Sequence, residues 1–150
     1  MITYKAELLE ECIEEATPFL VAHYEEIANN KEVKQLAPDW EQYIRMEKAG
    51  ILRIYTARDD GKLIGYFVSM CTPHLHYKHL RCALNDILYL APEYRGGTIA
   101  YRMFKGAMKD LKENMNIQHV MFHMKIKHPF SRLLTKLGAE QTEETWEVTL

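Results

Sequence analysis

The residues best suited to chemistry lie in one run, "LNDILYLAPEYRGGTIAYRMFKGAM", residues 84–108. Asp86 interrupts an apolar stretch and shares strand parity with Leu84, Leu88 and Leu90. A carboxylate among leucines is costly to ionise unless partnered, and a raised proton affinity suits a general base. A structural acceptor for a loop or a histidine fits the same position, and the residue types leave both readings open. Further along, Arg95 precedes Gly96 and Gly97 where a helix begins. A helix N-terminus presents unpaired N–H groups and the positive end of the helix dipole, and glycines let an oxyanion approach them closely. Arg95 adds a charge-assisted contact just ahead of that cradle. A plain turn is the competing reading. The run holds neither GxxxxGK[ST] nor GxGxxG, so neither common nucleotide loop is supported.

A second group is "PHLHYKH", carrying His74, His76 and His79 in the connection that leads to the Asp86 strand. His76 is therefore a candidate to relay a proton with Asp86 or to line an acceptor pocket. His74 and His76 also make a weak two-ligand metal signal, set against an ordinary surface role; no metal is expected. His23 falls on the buried stripe of a helix, where a core histidine is the default. Trp40 and Tyr43 either wall an acceptor pocket or pack. Met103, Phe104, Ala107, Met108 and Leu111 recur at helical spacing and read as core.

These residues need a frame. Leu9, Ile13, Ala16, Leu20, His23 and Ile27 predict helix over residues 5–29, with Thr17-Pro18 dividing it into two helices or kinking it. Asp39 to Gln42 predicts a capped second helix that ends at Gly50. The period then changes. "ILRIYTAR" and "KLIGYFVSM" are strands joined by "DDG", a hairpin signature. "ALNDILYLA" is a third strand and "YRMFKGAMKDLKEN" a helix. "QHVMFHMKI" alternates as a half-buried strand, "PFSRLLTKLG" is a short helix, and "TWEVTL" predicts a closing strand with Trp146, Val148 and Leu150 on one face. Helices leading into an antiparallel hairpin, then strand–helix–strand, predict an α+β domain with a mixed, mostly antiparallel central sheet and about four helices.

A chain of 150 residues suits one domain, 1–150. The net charge of −2 argues against a nucleic-acid partner. Seven glutamates between Glu7 and Glu26 make the first helix acidic, a solvated face or one that attracts cations. Cys12, Cys71 and Cys82 are odd in number and lack CxxC spacing, which fits a reduced, cytoplasmic setting. No apolar run approaches the ~20 residues of a membrane span, and the acidic N-terminus does not resemble a secretory signal. No membrane partner is expected.

The strand, the proline-containing loop, the pattern [Q/R]-x-x-G-x-[G/A] and the following helix resemble the acyl-coenzyme A signature of the GNAT N-acetyltransferase superfamily. Arg95 fills the first position and Ala100 the last, while Thr98 stands in place of the central glycine and Gly97 lies one residue early. The resemblance covers nearly the whole chain. "AHYEEI", "PDWEQY", "GYFVSMCTPHLHY" and "PEYRGG" look most like the small GNAT-fold proteins of bacteriophages. It implies acetyl-CoA as donor and direct attack by a primary amine, on a small molecule or exposed on a protein. Backbone groups of Leu88, Tyr89 and Leu90 would pair with the pantetheine arm, and an N–H of that strand would hold the oxyanion. Arg95, Gly96, Gly97, Thr98, Ile99 and Ala100 would contact the pyrophosphate. A carboxylate on this strand is often the family's base, which points to Asp86. The tyrosine that often protonates the leaving thiolate falls on Leu134, with His128 and Tyr89 as substitutes. Thr98 and Leu134 equally fit a catalytically degenerate GNAT-fold structural or interaction protein, for example a component of a phage particle. A homodimer is left open.

Overall fold

The computed structural model describes all 150 residues, Met1–Leu150. In chain order the elements are β1 (Ile2–Glu7), α1 (Leu9–Ile27), α2 (Trp40–Lys48), β2 (Leu52–Asp59), β3 (Lys62–Pro73), β4 (Arg81–Leu90), a 3-10 turn (Pro92–Tyr94), α3 (Ile99–Asn114), β5 (His119–Met121) and α4 (Ser131–Lys136). The strands form one sheet in the order β1-β2-β3-β4-β5. Neighbours run antiparallel except β4 and β5, which are parallel. The mixed α+β architecture is the one that the changes of period predict.

The hairpin forms where expected. Asp60 and Gly61 both take positive φ, +46° and +87°, the combination whose twist suits a two-residue turn between right-twisted strands. Asp39 caps α2 by accepting the Gln42 N–H at 2.9 Å, and Gly50 at φ +69° follows the helix end. One glycine is fixed by packing instead. A Cβ on Gly65 of β3 would lie 2.7 Å from the Tyr89 carbonyl oxygen and 2.8 Å from Leu90 Cδ1, so only glycine lets the end of β4 lie this close.

Four expectations change. The opening residues form β1: Ile2, Tyr4 and Ala6 alternate onto the core, and the helix starts only at Leu9. Next, α1 runs unbroken through Pro18. Pro18 and Glu14 lie on the exposed side, where solvent can satisfy the carbonyl that loses its partner, while Leu9, Cys12 and His23 hold the buried stripe. The strand read from "QHVMFHMKI" pairs only at His119–Met121. Beyond it Met124 and Ile126 are exposed, because β5 has turned away from β4. Finally, "TWEVTL" is not a strand, and Trp146, Val148 and Leu150 are exposed. With β5 only three residues long, there is little ladder for another strand to join.

The sheet is covered on both sides. Phe67, Ala83 and Leu90 pack with Met103, Phe104 and Leu111 of α3, and Leu133 and Leu137 join this layer. On the other face, Ile54, Tyr66, Val68 and Tyr89 pack with Leu9 and Cys12 of α1, with Tyr43 and Met46 of α2 against them. Glu7 anchors the β1 edge. Its side chain is almost fully buried and takes Arg58 through two bonds of 2.8 and 3.0 Å, with Lys5 Nζ at 2.8 Å. Burial pushes the Glu7 carboxyl up, but the bonds from Arg58 and Lys5 outweigh it and hold the group below its ordinary range.

Glu7→Gln is expected to cost roughly 2 kcal/mol near neutral pH, the order of a lost charge-assisted hydrogen bond, because Arg58 keeps its contact with Glu15 at 2.7 Å. Since the folded carboxyl titrates below the unfolded one, the pair's contribution is complete above ~4.3 and fades as pH falls through the folded value. Urea unfolding carried from neutral to acid pH checks this. The wild type should lose stability more steeply than the variant, and parallel curves would contradict the assignment.

Candidate active site

The site is made by two strands that part. β4 and β5 pair from Cys82–His119 to Leu84–Met121 and no further. At the same level β4 carries a bulge: Val68 pairs with Ile87 and Ser69 with Asn85, which leaves Asp86 as the extra residue. The bulge resets the parity. Ala83 faces the α3 layer before it, and Leu88 and Leu90 face that layer after it. Ile87 and Tyr89 face the α1–α2 layer.

Between the parted strands lies a cavity of about 760 Å³, within the ~300–1,000 Å³ usual for small-molecule pockets. Its walls are β4 from Asn85 to Leu90, the 95–97 turn with Ala100, the chain after β5 (His123–Lys125 and His128–Phe130), Leu133 of α4, and the end of α1 with the loop after it. Of the sequence candidates, Asp86, Leu88, Tyr89, Leu90, Arg95, Gly96, Gly97 and Ala100 line it. Thr98 and Ile99 do not. His128 lines the cavity; Leu134 does not, although its neighbour Leu133 does.

The α3 mouth has the donors an oxyanion needs. The N–H groups of Gly96 through Tyr101 have no acceptor within the chain, and the first α3 turn closes with Arg102 N–H to Thr98 O at 2.9 Å. Gly96 holds φ +82°, and a Cβ on Gly96 or Gly97 would meet nothing within 4 Å. The glycines therefore do not make room for the protein itself; they keep the approach to those N–H groups open. Thr98 sits at the N-cap without a side-chain cap bond.

Arg95 is already engaged. Its Nε donates to the Leu90 carbonyl at 2.7 Å, and its terminal nitrogens meet Glu26 of α1 at 2.8 and 2.9 Å. The guanidinium also lies over the Tyr89 ring, 5.3 Å from its centre. Lys34 in the loop after α1 is held in the same manner by Glu147, at 2.9 and 3.0 Å. His23 is buried beside Tyr89, 5.4 Å between ring centres, and also lines the cavity. Burial pushes it down to about 4, so it is neutral.

Asp86 is exposed, so the apolar burial suggested by its leucine neighbours does not exist. What singles it out is Tyr43 of α2, whose hydroxyl donates to Asp86 Oδ2 at 2.9 Å. Burial first, and then the Asp86 charge, push the Tyr43 hydroxyl up, so it stays a donor. Trp40 meets Tyr43 edge-on at 5.5 Å. Asp86 and Tyr43 also line a smaller cavity of about 130 Å³ with Asp39, Gln42, Met46, Leu52 and Met70. The pair thus stands between two cavities. The capped start of α2 marks where Tyr43 sits, but no spacing in the sequence ties it to Asp86.

His76 is not brought to this site. It lies in the exposed loop before Arg81, and Arg81 itself is five residues of strand from Asp86, or roughly 16 Å at ~3.3 Å per residue. It lines neither cavity, and its backbone N–H bonds His74 Nδ1 at 3.2 Å. No group of three or more His, Cys, Asp or Glu side chains is placed to hold a metal. No helix is long and apolar enough to cross a membrane.

The model of the acetyltransferase (GNAT) family matches residues 9–138. Among solved structures, a ribosomal-protein-alanine N-acetyltransferase from Brucella melitensis biovar Abortus 2308 is 17% identical, with TM-score 0.72 over 100% of this chain and 99% of that one. A predicted acetyltransferase with acetyl-CoA from Clostridium acetobutylicum is 18% identical, with TM-score 0.69 over 99% and 96%. An aminoglycoside acetyltransferase from an uncultured soil metagenomic sample, in complex with sisomicin, is 12% identical, with TM-score 0.75 over 99% and 96%. No curated protein matches.

The two carboxylates that hold Arg95 and Lys34 stand where a polyanionic ligand would compete with them. Glu26→Gln is expected to tighten acetyl-CoA binding by up to about fivefold, the worth of an exposed ion pair of ~0.2–1 kcal/mol. Calorimetry measures this directly, and unchanged or weaker binding would show that Arg95 need not leave Glu26.

Proposed function

The chain belongs to the acetyltransferase (GNAT) family and is an acetyl-CoA-dependent N-acetyltransferase; from that premise we propose that it acetylates a primary amine by direct attack within the fork of β4 and β5. The observation that carries the proposal is the position of Asp86 and Tyr43 on the wall shared by the two cavities. The larger cavity suits the donor, with the pyrophosphate at the free N–H groups of Gly96–Tyr101 and the pantetheine along β4 from Ile87 to Leu90. The smaller one suits the amine end of the acceptor, because Asp39 and Asp86 favour an ammonium group while Met46, Met70 and Leu52 favour its carbon flank.

An alkylammonium titrates near ~10.4, so the acceptor arrives with a proton that has to leave before the nitrogen can attack. Asp86 takes that proton, directly or through water, with Tyr43 fixing the orientation of the carboxylate. The neutral nitrogen adds to the acetyl carbonyl, a free β4 N–H stabilises the oxyanion, and the C–S bond breaks. The thiolate leaves as CoA and takes up a proton, and the nitrogen of the new amide loses its second proton to solvent. His128 and Tyr89 line the donor cavity and are the candidates to protonate the thiolate. His76 has no part in this scheme.

The acceptor class follows from the size of the smaller cavity. It admits an amine-bearing end rather than a whole polymer, which suits a compact polyamine-like molecule, an amino sugar, or one exposed protein amine. The likeness to an N-acetyltransferase for a ribosomal protein and to an aminoglycoside enzyme is consistent with both sources.

The test is release of free thiol from acetyl-CoA with a panel of polyamines, aminoglycosides and N-terminal peptides. Asp86→Asn is expected to lower kcat by ~10²–10⁴ on the best acceptor, as for loss of a general base, with acetyl-CoA affinity unchanged. Tyr43→Phe should lower it less. Full turnover by Asp86→Asn would remove Asp86 from this role.

A further inference from the structure

Where β4 and β5 part, one side chain takes the place of a rung of the sheet. Asn85 is 3% exposed and follows the last paired residue, Leu84. Its Nδ2 donates to the His123 carbonyl at 3.0 Å, and its Oδ1 accepts the His123 N–H at 2.6 Å. A primary amide offers one donor and one acceptor side by side, which is what a peptide unit would present there. It differs in reach. A side chain standing between the backbones holds them further apart than the ~4.8 Å of paired strands. The next residue, Asp86, is the extra residue of the bulge. The spacer and the break in parity therefore occur together, at the closed end of the donor cavity.

We infer that Asn85 is a positioning residue that sets the width of the fork at the end where the thioester is held. This rests on reading the larger cavity as the donor site. A shorter side chain would let the chain after β5 close onto β4, or would leave the His123 N–H and C=O without partners inside the fold. Either change deforms the pantetheine end of the cavity. Neither touches the free N–H groups at α3, which lie beyond Leu90 at the opposite end. Satisfying a buried polar group is the alternative role, and it would affect stability without distinguishing between the halves of the donor.

The experiment separates those halves. Binding of CoA and of adenosine 3′,5′-bisphosphate, which carries the nucleotide and no pantetheine, is measured for the wild type, Asn85→Ala and Asn85→Asp. The aspartate keeps the acceptor for His123 N–H and loses the donor. Both variants are expected to bind CoA at least about tenfold more weakly, the order of losing one or two buried hydrogen bonds, with the bisphosphate affinity within about twofold of wild type. Equal losses for both ligands, or no loss for CoA, would overturn the inference. Amide exchange supplies a readout independent of any variant's folding. In the wild type the His123 N–H should stay protected when CoA binds, because the spacer is in place in both states. Exchange that speeds up on binding would mean that the clamp opens, and would also overturn it. A wild type that binds neither ligand would instead remove the donor-site reading itself.

Discussion

The parting of β4 and β5 is the constraint on which the site depends. A strand that loses its neighbour inside a folded chain leaves a row of N–H and C=O groups that must find other partners. The chain answers at each end of the fork. At the closed end the Asn85 amide meets His123, and at the open end the Arg95 guanidinium takes the Leu90 carbonyl. The backbone between them faces a cavity, and a ligand with amide groups along its length is the kind of partner it can use. Gly65 belongs to the same arrangement, since only a residue without Cβ lets β3 lie against Tyr89 and Leu90. Pairing with β3 holds β4 along one edge beyond the bulge while its other edge stays free.

The electrostatics of the free protein follow the same logic. Six consecutive N–H groups from Gly96 to Tyr101 lack acceptors, and two of the three lysine and arginine side chains lining the cavity, Arg95 and Lys34, are already matched to carboxylates, while Lys125 is not. Unpaired amides can face water at little cost, whereas arginine and lysine side chains gain from a local partner. A polyanionic ligand then gains the amides outright and competes for the cations. His23, kept neutral by burial, adds no charge to the wall.

Much of the frame was legible because its signals are local. Asp60-Gly61 fixes a hairpin, Asp39 caps a helix, and Met103 to Leu111 mark the buried face of α3. The glycine pair at the α3 mouth was legible for the same reason. Where partners distant in sequence decide, the reading failed. The β1 alternation is three residues deep and makes sense only beside β2. Pro18 does not end α1 because tertiary packing of the stripe outweighs the local penalty. The bulge cannot be seen in one strand, since it is a relation between two, and it moved Asp86 from an apolar face to an exposed place beside Tyr43. Asn85 does carry a signal, a polar residue beside Asp86 in a mostly apolar strand, but its partner His123 lies 38 residues away and no spacing ties the two. His76 looked close to Asp86 in sequence, yet the length of the strand separates them.

Residue-resolved amide exchange of the protein with and without acetyl-CoA tests the central claim most directly. Saturating donor should slow exchange at Gly96–Tyr101 and at Leu88 and Leu90, whose N–H groups alternate away from β3 into the fork, and leave the loop around His76 unchanged. Donor that binds while those amides exchange as fast as before would place it elsewhere and contradict the account of the fork.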